Sequence, residues 1–330
     1  MRAAVITAPG GPEVLRIETR PTPTPATGEI LVRVHGSAMN RADVLQRQGR
    51  YPPPPGAPID IPGMEFAGTV IGRGVGASRW RDGDRVFGLI AGGAHADFVA
   101  VHEDTVTRIP DSLDWTGASA IPEAFITASD ALDQATASSG EVVLIHAVAS
   151  GVGLAAVQLA RARGCIALGT SRSAGKMDRA RELGMTDGFD AARGLDDLGA
   201  WVRARSGGAG ANIALDLVGG AYLKPTLDAL APRGRMILIG TVAGAEAVVP
   251  LGAILRKRLT IRGTVLRARA LDERAHDARA FAREVVPLFE SGSVQPVIDR
   301  VFPLDRIADA HRLVESNTTV GKIVLRMTED

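Results

Sequence analysis

Cysteine is almost missing from this chain, which has one residue, Cys165, in 330. A single thiol excludes an intrachain disulfide and cannot build the multi-thiolate cage of a structural zinc site. Charge of one sign is also missing: 38 Lys and Arg stand against 37 Asp and Glu, so no global field draws the chain to nucleic acid or to a membrane surface. No run of about 18 apolar residues could span a bilayer, and no basic segment leads into an apolar stretch after Met1. These absences predict a cytoplasmic protein whose specificity lies in a local site. There is no internal repeat. The one low-complexity run, Tyr51-Pro52-Pro53-Pro54-Pro55-Gly56, reads as a stiff loop, because proline has no N–H to give a sheet interior.

With 45% hydrophobic residues, the chain is long enough for two domains with ordinary cores. Over the first third, short apolar runs between Gly and Pro predict strands at 2–7, 15–19, 29–36, 66–72, 85–88 and 97–101, a β-rich, barrel-like domain. From residue 141 the rhythm changes to apolar β runs separated by helical stretches, the pattern of a parallel sheet covered by helices. Strands are predicted at 141–147, 165–170, 212–218, 234–240 and 259–265, with helices at 153–163, 173–183, 195–205 and 222–230. A helix over 271–289 is then followed by strand, helix and strand at 297–302, 307–314 and 322–327, a segment expected to return to the first domain.

Between the strand at 141 and the next helix, Gly151, Gly153 and Ala156 match G-x-G-x-x-G/A. In that setting the first glycine would permit a tight turn and the second a close approach to a pyrophosphate, while the small third residue lets the helix pack on the strand. The helix N-terminus would offer free N–H groups to the phosphates. About 20 residues on, where an NADH site carries Asp or Glu for the ribose hydroxyls, the chain has Thr170-Ser171-Arg172-Ser173 and then Lys176. A hydroxyl, a guanidinium and an ammonium pair with a 2′-phosphate that a carboxylate would repel, so NADPH is the expected cofactor. The alternative is that Arg172 and Lys176 are a solvated helix start. Gly240 and Thr241 end an apolar β run, where open α/β sheets bind ligands, and are expected to wall the nicotinamide ribose.

Further along the chain stand Pro12-Glu13, Ser37-Ala38-Met39-Asn40-Arg41-Ala42-Asp43, Gln46-Arg47-Gln48-Gly49-Arg50-Tyr51, Ala120-Ile121-Pro122-Glu123-Ala124, Leu266-Arg267, and Asn317 with Gly321-Lys322-Ile323-Val324. With these and the glycine turn, almost the whole chain resembles the medium-chain dehydrogenase/reductase superfamily, in its quinone oxidoreductase branch and closest to the p53-inducible type. The resemblance implies an α/β fold. A GroES-like β-barrel catalytic domain, residues 1–125 completed by 267–330, would accompany a Rossmann doubly wound parallel sheet, residues 126–266. It also implies a homodimer joined through Rossmann sheet edges. Asn40, Asp43, Tyr51 and Thr127 would line the nicotinamide and substrate cleft. Ser150, Gly151, Val152, Gly153, Ser171, Lys176, Leu266 with Arg267, Asn317 and Lys322 would hold the cofactor. One departure is Ala191, where relatives often place a tyrosine beside the adenosine phosphate.

Alcohol dehydrogenases of that superfamily polarise the alcohol with a zinc held by Cys and His. Here a barrel position for such a Cys carries Asn40, Cys165 falls in a predicted Rossmann strand, and the six histidines show no zinc-motif pairing. A three-histidine site stays formally open, but no metal is expected. Hydride delivery to a quinone needs no Lewis acid, because the aromatic product drives it; the cofactor carries the chemistry and the protein positions the reactants. The expected function is therefore NADPH-dependent reduction of a flat quinone lying between the domains, the proton coming from water or a hydroxyl. Tyr51 would either orient the acceptor oxygen or cap a barrel edge. Asn40 and Asp43 would hold and orient an acceptor carbonyl or ribose hydroxyl, or cap a turn. Thr127 would bond the carboxamide or cap its helix. His146 is expected to be packed rather than catalytic, and Cys165 to be a small core residue. Two rivals remain: a zinc-free alkenal or enoyl double-bond reductase, and a weakly catalytic NADPH-binding redox sensor or RNA-associated protein, which the lack of a basic stripe disfavours.

Overall fold

In the computed structural model, which describes residues 1–327, the chain passes out of one unit and back into it: Met1–Ile126 associates with Leu266–Asp330, and Thr127–Val265 stands as the other.

The first unit opens with an antiparallel ribbon of β1 (Arg2–Ile6) and β2 (Leu15–Thr19). The organising strand is β3 (Glu29–Ala38), in which Ile30, Val32 and Val34 are buried in alternation with more exposed neighbours, the period-2 signature of a sheet with one face on a core. It leads into α1 (Arg41–Arg47), followed by β4 (Glu65–Arg73), β5 (Arg85–Leu89), β6 (Phe98–His102), β7 (Val106–Arg108) and α2 (Trp115–Ser119). One edge of β3 pairs with β4, with register shifts at Leu31/Val32 and Val34/Gly36; such bulges bend and twist a strand. A π turn, Pro122–Ile126, then runs directly into α3 (Thr127–Gln134).

The second unit continues with β8 (Val142–Ile145), α4 (Gly151–Ala162), β9 (Ile166–Ser171), α5 (Met177–Glu182), β10 (Asp187–Asp190), α6 (Leu198–Arg205), β11 (Ala211–Asp216), α7 (Leu223–Ala229), β12 (Leu230–Leu238), α8 (Leu251–Lys257) and β13 (Thr260–Gly263). The strands form one parallel sheet in the order β10-β9-β8-β11-β12-β13. Counted within the unit this is third, second, first, fourth, fifth, sixth, the doubly wound order of dinucleotide-binding sheets. All four residues of β8 are buried, as a central strand covered on both faces requires.

The chain then returns through α9 (Leu271–Glu284), α10 (Val286–Glu290), β14 (Ile298–Pro303), α11 (Ile307–Glu315) and β15 (Lys322–Arg326). The free edge of β3 is shared: β6 pairs with its residues 29–33 and β15 with its residues 36–38. The C-terminal strands are therefore part of the first unit's sheet.

Several expectations needed correction. The helix read over 271–289 is broken into α9 and α10, because Pro287 has no N–H to continue the ladder. β10, with two Asp and a Gly in four residues, carries no alternation and was not anticipated; neither were α2 and α8. Cys165 is not inside a strand. It precedes β9, is partly exposed and points its Sγ at the Ser138 carbonyl, 3.2 Å away, so it is not a core residue.

Arg47 ties α1 to α11 within the first unit. Its side chain is 1% exposed and its Nη2 lies 2.5 Å from Glu315 Oε1, while Nε donates to the Gly10 carbonyl. Removing one partner of a fully buried pair costs about 3–5 kcal/mol. Glu315 is 28% exposed, so water can reach the vacated guanidinium. We expect Glu315→Ala to destabilise the protein by about 2–3 kcal/mol, read from the midpoint shift in urea at unchanged slope.

Candidate active site

The sheet of the second unit reverses its winding between β8 and β11, and the crevice outside the carboxyl ends of those strands is where doubly wound sheets take their ligand. The loop after β8 turns on Ala147, whose φ is 48°, while neither Gly151 nor Gly153 has positive φ. The tight turn assigned to Gly151 is therefore made by an alanine four residues earlier. Gly153 has a steric reason: a Cβ there would stand 2.6 Å from both the Ala147 and Val148 carbonyl oxygens. Ser150 caps α4, its Oγ accepting from Gly153 N at 3.1 Å. The first-turn N–H groups of Gly151 and Val152 have no acceptor within the helix, and a phosphate suits them.

Behind this turn lies a closed polar network. Thr226 Oγ1 donates to the Tyr222 carbonyl at 2.6 Å, so it accepts from His146 Nε2 at 2.7 Å; His146 Nδ1 then accepts from Thr170 Oγ1 at 2.9 Å. Burial pulls the His146 pKa down to about 4 against the opposing pull of Asp216, leaving a neutral ring. Thr170 is fully buried, with its hydroxyl on His146 and its carbonyl accepting from Val148 N. Its hydroxyl is therefore engaged within this network.

At the end of β9, Ser171 Oγ accepts from Ser173 N. Arg172 is exposed and near enough to Tyr222 to lower its pKa, although burial raises that value more. Lys176 ends the following 3-10 turn and is half-buried. No carboxylate ends β9, but the structure brings one alongside: Asp190 of β10 is paired with Ser171. Its Oδ1 accepts from Ala192 N and its Oδ2 lies 3.7 Å from Arg193. Sequence spacing missed this neighbour because β10 was not recognised. After β11 and β12 the loops meet closely. Gly219 has φ of +68°, and a Cβ on it would lie 3.0 Å from Thr241 Cα and 3.1 Å from the Gly240 carbonyl. Thr241 lines a concavity of about 490 Å³ with Asp216, Gly220, Leu238 and Glu246.

The first unit brings together a second group of polar residues. Lys322 Nζ lies 2.6 Å from Glu65 Oε1 and 2.6 Å from Asn40 Oδ1, and Asn40 Nδ2 donates to Glu65 Oε1 at 2.9 Å. Asp43 caps α1, accepting from Asn40 N at 2.7 Å, and its other oxygen accepts from Gly63 N at 2.9 Å; the capping role describes it. Arg267 is buried with every guanidinium nitrogen engaged: Nε on the Ala91 carbonyl, Nη1 on the Tyr51 carbonyl and Nη2 on Gln46 Oε1. Its guanidinium stands 5.0 Å from the Tyr51 ring centre, a cation–π contact that fixes the ring. Burial raises the Tyr51 pKa, so the phenol keeps its proton. Leu266 is buried. Asn317 is apart from this group, at φ 55° with its Oδ1 accepting from Arg41 at 2.6 Å. Thr127 begins α3 with its Oγ1 buried and unpartnered.

Two members of the group carried no role in the sequence reading. Glu65 is wholly buried, and its signal was a carboxylate opening an apolar strand run. Glu123 lies in a quoted motif, but only the fold shows that its N–H donates to Glu65 Oε2 at 2.9 Å. Among the described residues no group of three His, Cys, Asp or Glu is placed to hold a metal ion. At Asn40 the nearby ammonium opposes a divalent cation.

A curled β domain completed from the C terminus, with a doubly wound sheet inserted, defines a dinucleotide-binding dehydrogenase/reductase fold. Residues 26–111 match the alcohol dehydrogenase GroES-like domain family and residues 151–284 the zinc-binding dehydrogenase family. The chain is 31% identical to the quinone oxidoreductase of Rattus norvegicus, over 98% of this chain and 97% of that protein. It is 34% identical to the pikromycin polyketide synthase component PikAII of Streptomyces venezuelae, over 97% of this chain but only 8% of that protein's length. A mycobacterial structure complexed with NADPH superposes with TM-score 0.90 at 27% identity, covering 99% of this chain and 100% of that one. The chain belongs to the medium-chain dehydrogenase/reductase superfamily, with quinone oxidoreductases among its relatives.

The buried pair gives a direct prediction. Lys322→Met strands the Glu65 carboxylate and should cost about 3–5 kcal/mol, whereas adding Glu65→Gln removes the orphan charge. Chemical denaturation of the single and double variants should show the double variant recovering at least about half of the loss.

Proposed function

We propose that this protein uses NADPH to reduce a quinone or a similar conjugated carbonyl acceptor without a metal. The observation that carries the cofactor half is the end of β9: Ser171 is the last residue of the strand that pairs with β8, and Arg172 and Lys176 follow it in the loop and the 3-10 turn. A 2′-phosphate would meet a hydroxyl and two cations there. Asp190 faces Ser171 across the sheet but is turned to Ala192 N and Arg193. The first turn of α4, from Ser150 to Gly153, would hold the pyrophosphate, and Gly240 and Thr241 the ribose on the nicotinamide side. When bound, the cofactor supplies the hydride.

The chain's own part is positioning. Arg267 holds the Tyr51 ring by stacking and by its carbonyl, so the phenol is offered as a fixed hydrogen-bond donor to an acceptor oxygen. Asn40 and Lys322 share Glu65, which keeps the ammonium beside that face. The Asn40 side chain, bonded to an ammonium, is unsuited to a zinc ligand, and a Lewis acid is not needed for a quinone. Hydride delivery to a conjugated carbon–carbon double bond is the competing reading. Among the described residues no helix is long and apolar enough to cross a membrane.

A second copy of the chain would join at the outer edge of the parallel sheet. There β13 is exposed at every residue, Ile261 is 40% exposed, and Leu251 and Leu255 of α8 are 73% and 78% exposed. An open edge flanked by apolar side chains is prone to pair. Sedimentation should show a dimer for the native protein and a monomer for Leu255→Glu with Ile261→Arg.

Oxidation of NADPH and NADH, measured with ortho- and para-quinones and with an α,β-unsaturated aldehyde, tests the main reading. We expect quinone turnover with NADPH preferred; turnover confined to the enal would replace it with the double-bond reductase. Charged hydrogen bonds contribute about 1.5–3 kcal/mol each, so Arg172→Glu with Lys176→Glu should lower kcat/KM for NADPH by at least about tenfold and leave NADH little changed.

A further inference from the structure

We propose that Glu123 is the proton donor of the reduction, passing its carboxyl proton to the acceptor oxygen as the hydride arrives; this rests on the reading of the chain as a reductase of conjugated carbonyls. Glu123 sits in the π turn Pro122–Ile126, an irregularity that recurs at functional sites because the extra residue displaces the backbone. The turn puts two carboxyl groups side by side in opposite surroundings. Glu65 accepts from Lys322 Nζ, Asn40 Nδ2 and Glu123 N, the full set of donors that suits a carboxylate. Glu123 Oε2 is buried with no partner at all.

Glu123 is partly buried as a residue, but a charge on an oxygen that is buried without a partner is costly, so the group keeps its proton. Burial, then the Glu65 charge, push the Glu123 pKa from 4.5 up to about 8, Asp43 adding to this while Lys322 and Arg267 oppose it. A protonated carboxyl beside one that is ion-paired is the arrangement of an acid next to a fixed charge. Tyr51 lies within electrostatic reach, since the Glu123 charge raises its pKa; the acid is therefore near the phenol assigned to the acceptor oxygen. Other nearby groups are poorer donors. The phenol is too weak an acid, Lys322 is held by Glu65 and Asn40, and burial keeps His95 neutral.

The balance is simple. The acceptor gains a hydride and its electron pair from the reduced nicotinamide, which is thereby oxidised. The acceptor oxygen forms a bond to the proton of Glu123 as the carboxyl O–H breaks, and the carboxylate then regains a proton from water.

The test compares the full-length native protein with Glu123→Gln and Glu123→Asp. With a quinone that supports native turnover, we expect Glu123→Gln to lower kcat by at least about 100-fold while the NADPH dissociation constant, from fluorescence titration, changes by less than about twofold. The native kcat/KM should fall above about pH 8, with that limb absent from Glu123→Gln, and Glu123→Asp should recover part of the rate. Thermal stability adds a readout independent of turnover. An acid whose pKa is raised from 4.5 to about 8 on folding loses its proton first in the unfolded chain, so native stability falls as pH rises through that window and then levels. Glu123→Gln lacks this decline. A Glu123→Gln protein with native turnover and the native pH limb, or one whose stability declines with pH as the native does, overturns the proposal and leaves quinone reduction standing. A native protein that reduces no acceptor sinks the underlying reading, and the proton donor with it.

Discussion

A buried ammonium and a buried carboxylate cannot stay apart inside a protein, and the first unit is built around one such pair, Lys322 and Glu65, 2.6 Å from each other. Lys322 opens the last strand and Glu65 opens β4, so the ion pair joins segments 257 positions apart in the chain. Either charge alone would be strongly destabilising. Together they require the C-terminal strand to return to β3, and they orient Asn40 at the start of α1. The third donor to Glu65 is the N–H of Glu123, which carries the constraint into the π turn. One electrostatic requirement thus sets the sheet's closing strand, the α1 cap and the position of a second, unpaired carboxyl.

In the second unit, close approach of backbone decides the shape. His146, Thr170 and Thr226 satisfy one another beneath the turn, leaving the ring neutral. Gly153 and Gly219 mark places where even one methyl group would strike backbone atoms. The crevice so formed offers N–H groups and small residues, which suits an extended, phosphate-bearing ligand better than a compact one.

Much of the architecture was legible because it rests on local pattern. Alternating burial in β3 and the unbroken apolar run of β8 each follow from the faces the strands present, and both show in residue order. The strand, glycine and helix sequence around Gly151 identified the turn, although the left-handed residue proved to be Ala147. What escaped had no local signature. β10 is held by its neighbour β9 rather than by its own polar residues, and its Asp190 comes beside Ser171 only through that pairing. Cys165 was assigned to a strand that begins one residue later.

The sequence by itself determined the class of each sheet, the strand, glycine turn and helix around Gly151, and the family, because hydrophobic periodicity and glycine placement act over a few residues and leave their mark in order along the chain. Only the tertiary structure decided the state of the charged and polar groups. Glu65, Glu123, Lys322 and Arg267 come from β4, the π turn, β15 and the segment after the inserted unit. Whether each is paired, stacked or left protonated depends on which others fold against it, and desolvation and Coulomb energy are properties of three-dimensional neighbours.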